Sequence, residues 1–492
     1  MRPAFASLML VVLACVASPA EAATAHQAGD ILIDPKSVAV IEGVPVEYEL
    51  GTLFVPENRG SAKSRIIGVG FARIKASHSS SAPPVFWLPG GPALSVLGAF
   101  IDHDGAQGKL KLWASFGAVG DLVVMEQRGY SIRGEMLEQP TRAAPLDRPA
   151  SVQAEAQAEI ALAKAAVLAN PDKDLAGYTI VQLAADVNDL RKALGYDRIS
   201  LFGGSFASQW SLAVMRLYPQ TVARAVLSSA EPLDGYDVPS QILAALQRIS
   251  FDADRDPGLA PYLPEGGMME AIRAVRDRLA VAPANVTVKD GKGQARTVTL
   301  GVEDFQLALL SHTQDGVDWP AFILAIYHRH YDDWARAVIE QRQAGTEGLI
   351  RPLIDTSTGV TAERLHRLRT DPATALLGTW AFDIDVASAS TWPTPDLGDD
   401  FRTTFMSSIP VLFVHGDWDI STPVDNTLSL LPYFPNGHAI VVHRGGHDGT
   451  FYQLRQEPAV KAAVYEFLRT GAMKNLPASV TLSLPKFTIP TF

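Results

Sequence analysis

Short, uninterrupted apolar runs alternate with helix-period segments along this chain, and that alternation restricts the fold more than any other feature. Between residues 85 and 232 the run "VFWL" ends in the glycine-rich turn "PGGPA", and "DLVVMEQRGY" is an apolar strand entering a polar loop. Residues 151–169 are Ala-rich with helical spacing. "TIVQLAADVNDLRKALG" repeats apolar residues every three or four positions and stops at Gly195. "RISLFGG" is a strand, 206–218 a helix, and "ARAVLSSAEP" a strand closing at Pro232. Strands that are apolar throughout, rather than at alternate positions, are buried on both faces, as in a parallel sheet covered by crossover helices. An α/β architecture is expected.

Two strands, 44–56 and 65–75, precede this region. From 233 to 400 helical segments dominate, among them "PSQILAALQRI", "MMEAIRAVRDRLA" and "WPAFILAIYHRHYDDWARAVIEQR". One hairpin, "NVTVKDGKGQARTVTL", has Asp290-Gly291 near its turn. After 400 the parallel-sheet texture returns: "IPVLFVHG" is a strand, 423–431 a short helix, "HAIVVHRGGHDG" a strand and loop, 457–469 a helix. The expected organisation is an α/β core from 23–232 and 401–492, interrupted by a mainly helical cap at 233–400. The tail from 471 is expected to be a surface extension. No internal repeat is found.

Arg2, an apolar stretch at 4–17 and the A-x-A triplet Ala20-Glu21-Ala22 mark residues 1–22 as an export signal, too short to span a membrane. Cys15 is the one cysteine. If it leaves with the signal, the mature protein is thiol-free, which suits a periplasmic or secreted protein; the alternative is lipidation at Cys15. No second apolar segment approaches spanning length, so no integral membrane segment is expected after signal removal. With 47% hydrophobic residues there is ample material for a large core. The net charge of -11 and the lack of Lys/Arg runs argue against a nucleic-acid partner. No His/Cys metal-ligand spacing is present. Oligomeric state is not readable.

"GGSFA" places Ser205 after a strand and at the opening of a helix, the setting of a nucleophile elbow. Small neighbours suit such a turn because strand and helix backbones pass closely, and Gly203 and Ala207 supply them. The plain alternative is that Ser205 caps the helix. A serine nucleophile needs a base held by an acid, in the chain order Ser, Asp or Glu, His. "VLFVHGDWDISTP" offers Asp417 and Asp419, and "IVVHRGGHDGTF" offers His447, each in a loop after a strand. His415 and His443 sit in or at the ends of apolar strands and are expected to be packed or partner-bonded. An oxyanion hole would draw on the N–H of Phe206 and on the "FWLPGGPA" loop, where Gly91 lets backbone approach a substrate.

These stretches resemble α/β-hydrolase serine peptidases of the prolyl and tripeptidyl aminopeptidase type. "PGGPA" is similar to the family's oxyanion loop, "EQRGYS" (126–131) to its D-[QP]-R-G-x-G segment, "GGSFA" to its GGSYG elbow, and "HGDWDISTP" and "GGHDG" to its acid and histidine loops. The resemblance covers about 44–232 and 400–470. Its G-x-x-D spacing selects Asp419 as the acid and leaves Asp417 a loop-stabilising role. Pro89, Ala93, Glu126 and Ala207 depart from the usual pattern, and the departures near the oxyanion loop bear on substrate class. The resemblance implies an α/β-hydrolase fold with a mostly parallel sheet, a triad of Ser205, Asp419 and His447, and no metal or organic cofactor. It also implies that carboxylates near the pocket hold a substrate amine, with Glu231 a candidate by position at the strand end after the elbow helix.

Three functions follow from these residues. The first is an exported aminopeptidase-like enzyme acting on short peptides. The second is a hydrolase of esters, lactones or other small acyl compounds with the same triad. The third is a non-catalytic binding protein, which predicts loss of a triad member that is here present. Trp319, Trp334, Trp380 and Trp392 are candidates to line an apolar pocket, or to be core.

Overall fold

The computed structural model describes residues 26–312, 314, 316–447, 451 and 454–492. The expected signal at 1–22, with Cys15, lies outside the described residues. The N-terminal strands β1 (Ile31–Ile33), β2 (Ser37–Ile41), β3 (Val44–Pro56) and β4 (Ile66–Ile74) pair antiparallel; β5 (Val85–Leu88) and β6 (Leu122–Met125) begin the parallel part. Helix α1 (Gln107–Ser115) lies between those two strands. Strands β8 (Ile199–Gly204) and β9 (Val222–Ser228) follow, after the short β7 (Glu138–Pro140). The sheet continues with β13 (Val411–Gly416), β14 (Gly437–His443) and β15 (Ser479–Thr481). Its order is β1-β3-β4-β6-β5-β8-β9-β13-β14-β15, with β2 also on β3.

From β6 onward every neighbouring pair is parallel. The central strands are buried along nearly their whole length, as continuous apolar runs require. Helices cover both faces: α2 (Val152–Ala169), α3 (Ile180–Ala193) and α4 (Phe206–Leu217) pack into one core cluster, and α1 and the helix Pro458–Thr470 into another. Helix α3 starts where the Thr179 side chain accepts from the Gln182 N–H and stops at Gly195, whose φ of 75° suits the residue after a helix. This is an α/β-hydrolase sheet: an antiparallel edge, a parallel body, and crossover helices on either side.

Between β9 and β13 lies a mostly helical segment. It holds α5 (Pro239–Ala253), α6 (Gly267–Val281), the hairpin of β10 (Ala284–Lys289) and β11 (Ala295–Leu300), α7 (Val302–Leu309), α8 (Trp319–Tyr327) and α9 (Asp332–Gln341). It continues through β12 (Thr346–Gly348), α10 (Ile350–Thr358), α11 (Ala362–Thr370), α12 (Thr374–Leu377), α13 (Asp383–Ser388) and α14 (Asp399–Arg402). Its apolar core recruits residues from elsewhere in the chain, including Leu146, Trp418 and Phe487, and β7 pairs with β12.

The C-terminal tail is not a surface extension. Strand β15 pairs with β14, Leu482 and Phe487 are buried, and the Thr488 N–H donates to the Val317 carbonyl at 3.2 Å. Alternate apolar residues in "SVTLSLPKF" give a weak strand signal, and only a neighbouring strand edge reveals what they cover. Among the described residues no helix is long and apolar enough to cross a membrane.

Candidate active site

Ser205 is the single residue between β8 and α4. Its φ of 56° and ψ of -137° lie where side-chain-bearing residues are strained, at a cost of about 1–3 kcal/mol. Several bonds hold the turn. The Ser205 N–H donates to the Ser228 carbonyl on β9 at 3.1 Å, and the Ser208 N–H and hydroxyl both donate to the Ser205 carbonyl at 2.7 Å. A Cβ on Gly203 would lie 2.4 Å from the Ala207 carbonyl oxygen, so strand and helix cross this closely only over glycine. The Ser205 side chain makes no capping bond to α4. It lines a cavity of about 430 Å³ instead.

Two loops reach the serine. The loop after β13 carries Asp419 and the loop after β14 carries His447. His447 Nε2 lies 3.1 Å from Ser205 Oγ, and Nδ1 lies 3.0 Å from each Asp419 carboxylate oxygen. Asp419 is fully buried. Its Oδ1 accepts the N–H groups of Ser421 and Thr422 at 3.0 and 2.9 Å, and its Oδ2 accepts the Thr422 hydroxyl at 2.9 Å. Burial alone would raise this carboxyl; the charge of His447 and the hydrogen bonds of His415 and His447 outweigh it and hold the group well below the usual range. An acid kept ionised there places the imidazole proton on Nδ1 and leaves Nε2 as an acceptor facing the serine.

His415 is wholly buried behind this loop. The Ala230 N–H donates to its Nδ1 at 3.2 Å and the Thr422 carbonyl accepts from its Nε2 at 2.6 Å, which defines a neutral ring with the proton on Nε2. Asp417 clasps the second loop to the first: its Oδ2 faces His443 Nδ1 at 2.8 Å and its Oδ1 accepts the Arg444 N–H at 2.8 Å. The loops touch at Gly416 and Gly445. A Cβ on Gly416 would lie 2.0 Å from the Gly445 carbonyl oxygen, and backbone cannot move aside cheaply. Gly416→Ala is therefore expected to cost about 3 kcal/mol or more of stability, read as a lowered urea midpoint. An unchanged midpoint would show that the two loops do not meet this closely.

The segment 89–97 forms another wall, with Gly91 and Pro92 lining the cavity beside Ser205. Phe206, the first residue of α4, is buried against the core. The "EQR" triplet explains how the wall is held. Glu126 accepts the N–H groups of Val96 and Leu97, both at 3.1 Å, and of Ile132 at 3.0 Å. Gln127 accepts the Ala93 N–H at 2.8 Å and donates to the Gly90 carbonyl at 2.9 Å. Arg128, fully buried, forms a two-pronged pair with Asp186 on α3 at 2.6 and 2.7 Å.

The rest of the cavity is acidic. Glu231, Asp237, Asp355 and Asp385 line it, with Arg351, Tyr236 and Thr358. Glu231 Oε1 lies 3.1 Å from Ser205 Oγ. Burial pushes Asp237 up to about 6 against the hydrogen bond from Asn426. Asp355 and Asp385 are also raised, by burial and, for Asp355, by the neighbouring Asp385 charge, while Arg351 opposes both. Among the described residues Arg351 is the lysine or arginine that lines the cavity with these four carboxyl groups, and carboxyls held up by burial and by one another ionise more readily when a positively charged group docks beside them. Only Glu231 of this wall is identifiable from sequence. Asp237, in the loop before α5, and Asp355 and Asp385, on the short helices α10 and α13, carry no motif. None of the four tryptophans singled out above lines the cavity: Trp319, Trp334 and Trp392 are buried core.

Residues 379–479, which include the acid and histidine loops, match the family model described as TAP-like protein. A search of curated protein sequences gives no match. Among solved structures, the chain is similar to an esterase from Thermogutta terrifontis (14% identity, 85% of this chain and 98% of that one, TM-score 0.32). It is similar to a serine hydrolase from Cycloclasticus zankles (12%, 86% and 100%, TM-score 0.36) and to an epoxide hydrolase from an endophytic Streptomyces (14%, 88% and 98%, TM-score 0.35). At such identities and scores the likeness says nothing of substrate. By its sheet topology the chain has an α/β-hydrolase fold, and its residues 379–479 are similar to the TAP-like family.

Proposed function

We propose that the protein is an exported serine hydrolase working through an acyl-enzyme, and that it releases N-terminal residues from short peptides. In this mechanism His447 takes the proton of Ser205 as Oγ attacks the substrate carbonyl. Asp419 keeps the imidazole oriented and stabilises its charged form. The N–H groups of Gly91 and Phe206 receive the oxyanion of the tetrahedral intermediate. Collapse returns the proton from His447 to the leaving amine, and water, activated by His447, then releases the acyl group. Export rests on the leader at residues 1–22.

The observation that carries the peptidase reading is the acidic wall of the cavity beside Ser205. A peptide with a free N-terminus brings an ammonium, and Glu231, Asp237, Asp355 and Asp385 are the groups to receive it. A cavity of about 430 Å³ is of the size that takes a small ligand such as a short peptide end. The test is a panel of aminoacyl, prolyl and tripeptidyl amides beside short acyl esters, with Ser205→Ala as control. Release from amides with a free amine, absent once that amine is acylated, is the expected result. Turnover of esters alone would keep the serine chemistry and discard the peptidase assignment. Turnover of nothing, or equal turnover by Ser205→Ala, would remove the serine mechanism itself.

A further inference from the structure

Ser205 has one hydroxyl proton and two neighbours at the same distance, His447 Nε2 and Glu231 Oε1, each 3.1 Å from Oγ. With Nδ1 of a neutral His447 donating to Asp419, Nε2 can only accept. A charged Glu231 can also only accept, so both would compete for the one proton. A carboxylate holds a hydroxyl more strongly than a neutral imidazole does, because the bond is charge-assisted. A proton on Glu231 removes the conflict: the carboxyl O–H donates to Oγ, and the serine proton is free to point at Nε2. The other arrangement with the same number of protons places the second proton on His447, and a doubly protonated imidazole cannot act as base.

We propose that Glu231 works as a carboxylic acid, a positioning residue that turns the Ser205 proton toward His447 and loses this role when it ionises. The inference rests on Ser205 being the nucleophile. The position of Glu231 is set by the elbow helix, since its N–H donates to Ser208 Oγ at 2.8 Å and the next carbonyl, of Pro232, accepts from Gln209 Nε2 at 2.9 Å. Its surroundings favour the neutral form. Asp237 lies on the same loop, Asp355 faces it from α10, and Asp385 adds negative charge from α13 beyond Asp355. A charged His447 would oppose it, and that charge is tied to Asp419, while Arg351 is paired with Asp355. Burial and the Asp237 charge push the Glu231 carboxyl up to about 8, against His447 and the serine hydrogen bond. A carboxyl raised in this way is protonated below about 8, and its function is lost as pH rises through that value. A substrate ammonium docked on Glu231 has the same effect as the proton, because it replaces the serine as donor to Oε1.

The test uses an ester with no ionising group, so that neither an amine nor its titration enters. The kcat/KM of the mature enzyme is expected to fall about tenfold per pH unit above the Glu231 value. Glu231→Gln keeps a donor at this place permanently. It is expected to be faster than Glu231→Ala, which has no donor, at every pH, and both variants lack the alkaline limb. An alkaline limb unchanged in Glu231→Gln overturns the proposal, as does a flat profile for the unaltered enzyme between about pH 7 and 10, a result that needs no variant. A folded Glu231→Gln inactive at all pH values overturns it too. Ser205→Ala in the same assay separates the two ideas: full ester turnover there refutes the serine nucleophile, whatever Glu231 does.

Discussion

Ser205→Ala is expected to lower kcat by about 10⁴- to 10⁶-fold on any substrate the enzyme turns over, with KM little changed. The hydroxyl is the only atom lost, and with it goes the contact to His447 Nε2. Among the described residues the side chains on Oγ are Glu231 and His447, each 3.1 Å from it, so neither occupies the place the hydroxyl leaves. The variant should fold as well as the parent. The strained φ of 56° is carried by any residue with a Cβ, so alanine neither adds nor relieves it. The turn is fastened by the main chain of Ser205 and by the Ser208 hydroxyl, all of which remain. The measurement is a progress curve at high enzyme concentration together with a thermal unfolding midpoint. Loss of turnover with an unchanged midpoint is the expected pair; a variant that keeps more than about 1% of turnover would mean that a different group attacks.

How much of this site is readable from sequence depends on how local each signal is. Ser205, Asp419 and His447 are nameable because each follows an uninterrupted apolar run and sits among glycines that a sharp loop needs. The close pass of Gly203 over Ala207 is a consequence of residues only four apart. The acidic wall is different. Asp355 and Asp385 lie on helices thirty residues apart, and helical periodicity tells which face is apolar without telling what the polar face meets. Glu231 is visible as a strand-end carboxylate, yet its contact with Ser205 depends on how the chain turns at Pro232. Strands β7 and β12, "EQP" and "TEG", are too short and too polar to show a strand period, and they exist because they pair with each other. The tail packs against helices that precede it by more than a hundred residues, which local propensity cannot register.

Asp419→Asn is expected to cost about 10⁴-fold in kcat, and Asp417→Asn only a few-fold, although the two stand two residues apart in one loop. The difference comes from what decides the orientation of the new amide. Two backbone N–H groups, of Ser421 and Thr422, donate to Asp419 Oδ1, so in Asp419→Asn that place must remain the oxygen. The amide NH₂ then falls where Oδ2 was, facing His447 Nδ1 and the Thr422 hydroxyl. The hydroxyl can rotate to accept, but the imidazole loses the charged carboxylate and keeps, at 3.0 Å, only an oxygen already shared by two N–H groups, while the NH₂ hydrogens face Nδ1; this favours the tautomer in which Nδ1 accepts and Nε2 carries the hydrogen, so that it no longer takes one from Ser205. At Asp417 the same substitution keeps the oxygen toward the Arg444 N–H and presents an NH₂ to His443, a half-exposed ring able to change tautomer with no reacting partner. The measurement is kcat/KM for both variants on the best substrate of the panel, with unfolding midpoints as a check on structure. The reverse ranking would make Asp417 the acid. The double variant Ser205→Ala/Asp419→Asn should be no slower than Ser205→Ala alone, since removing the nucleophile already removes what the acid and the imidazole serve; a further large drop would show that Asp419 acts by some route other than His447.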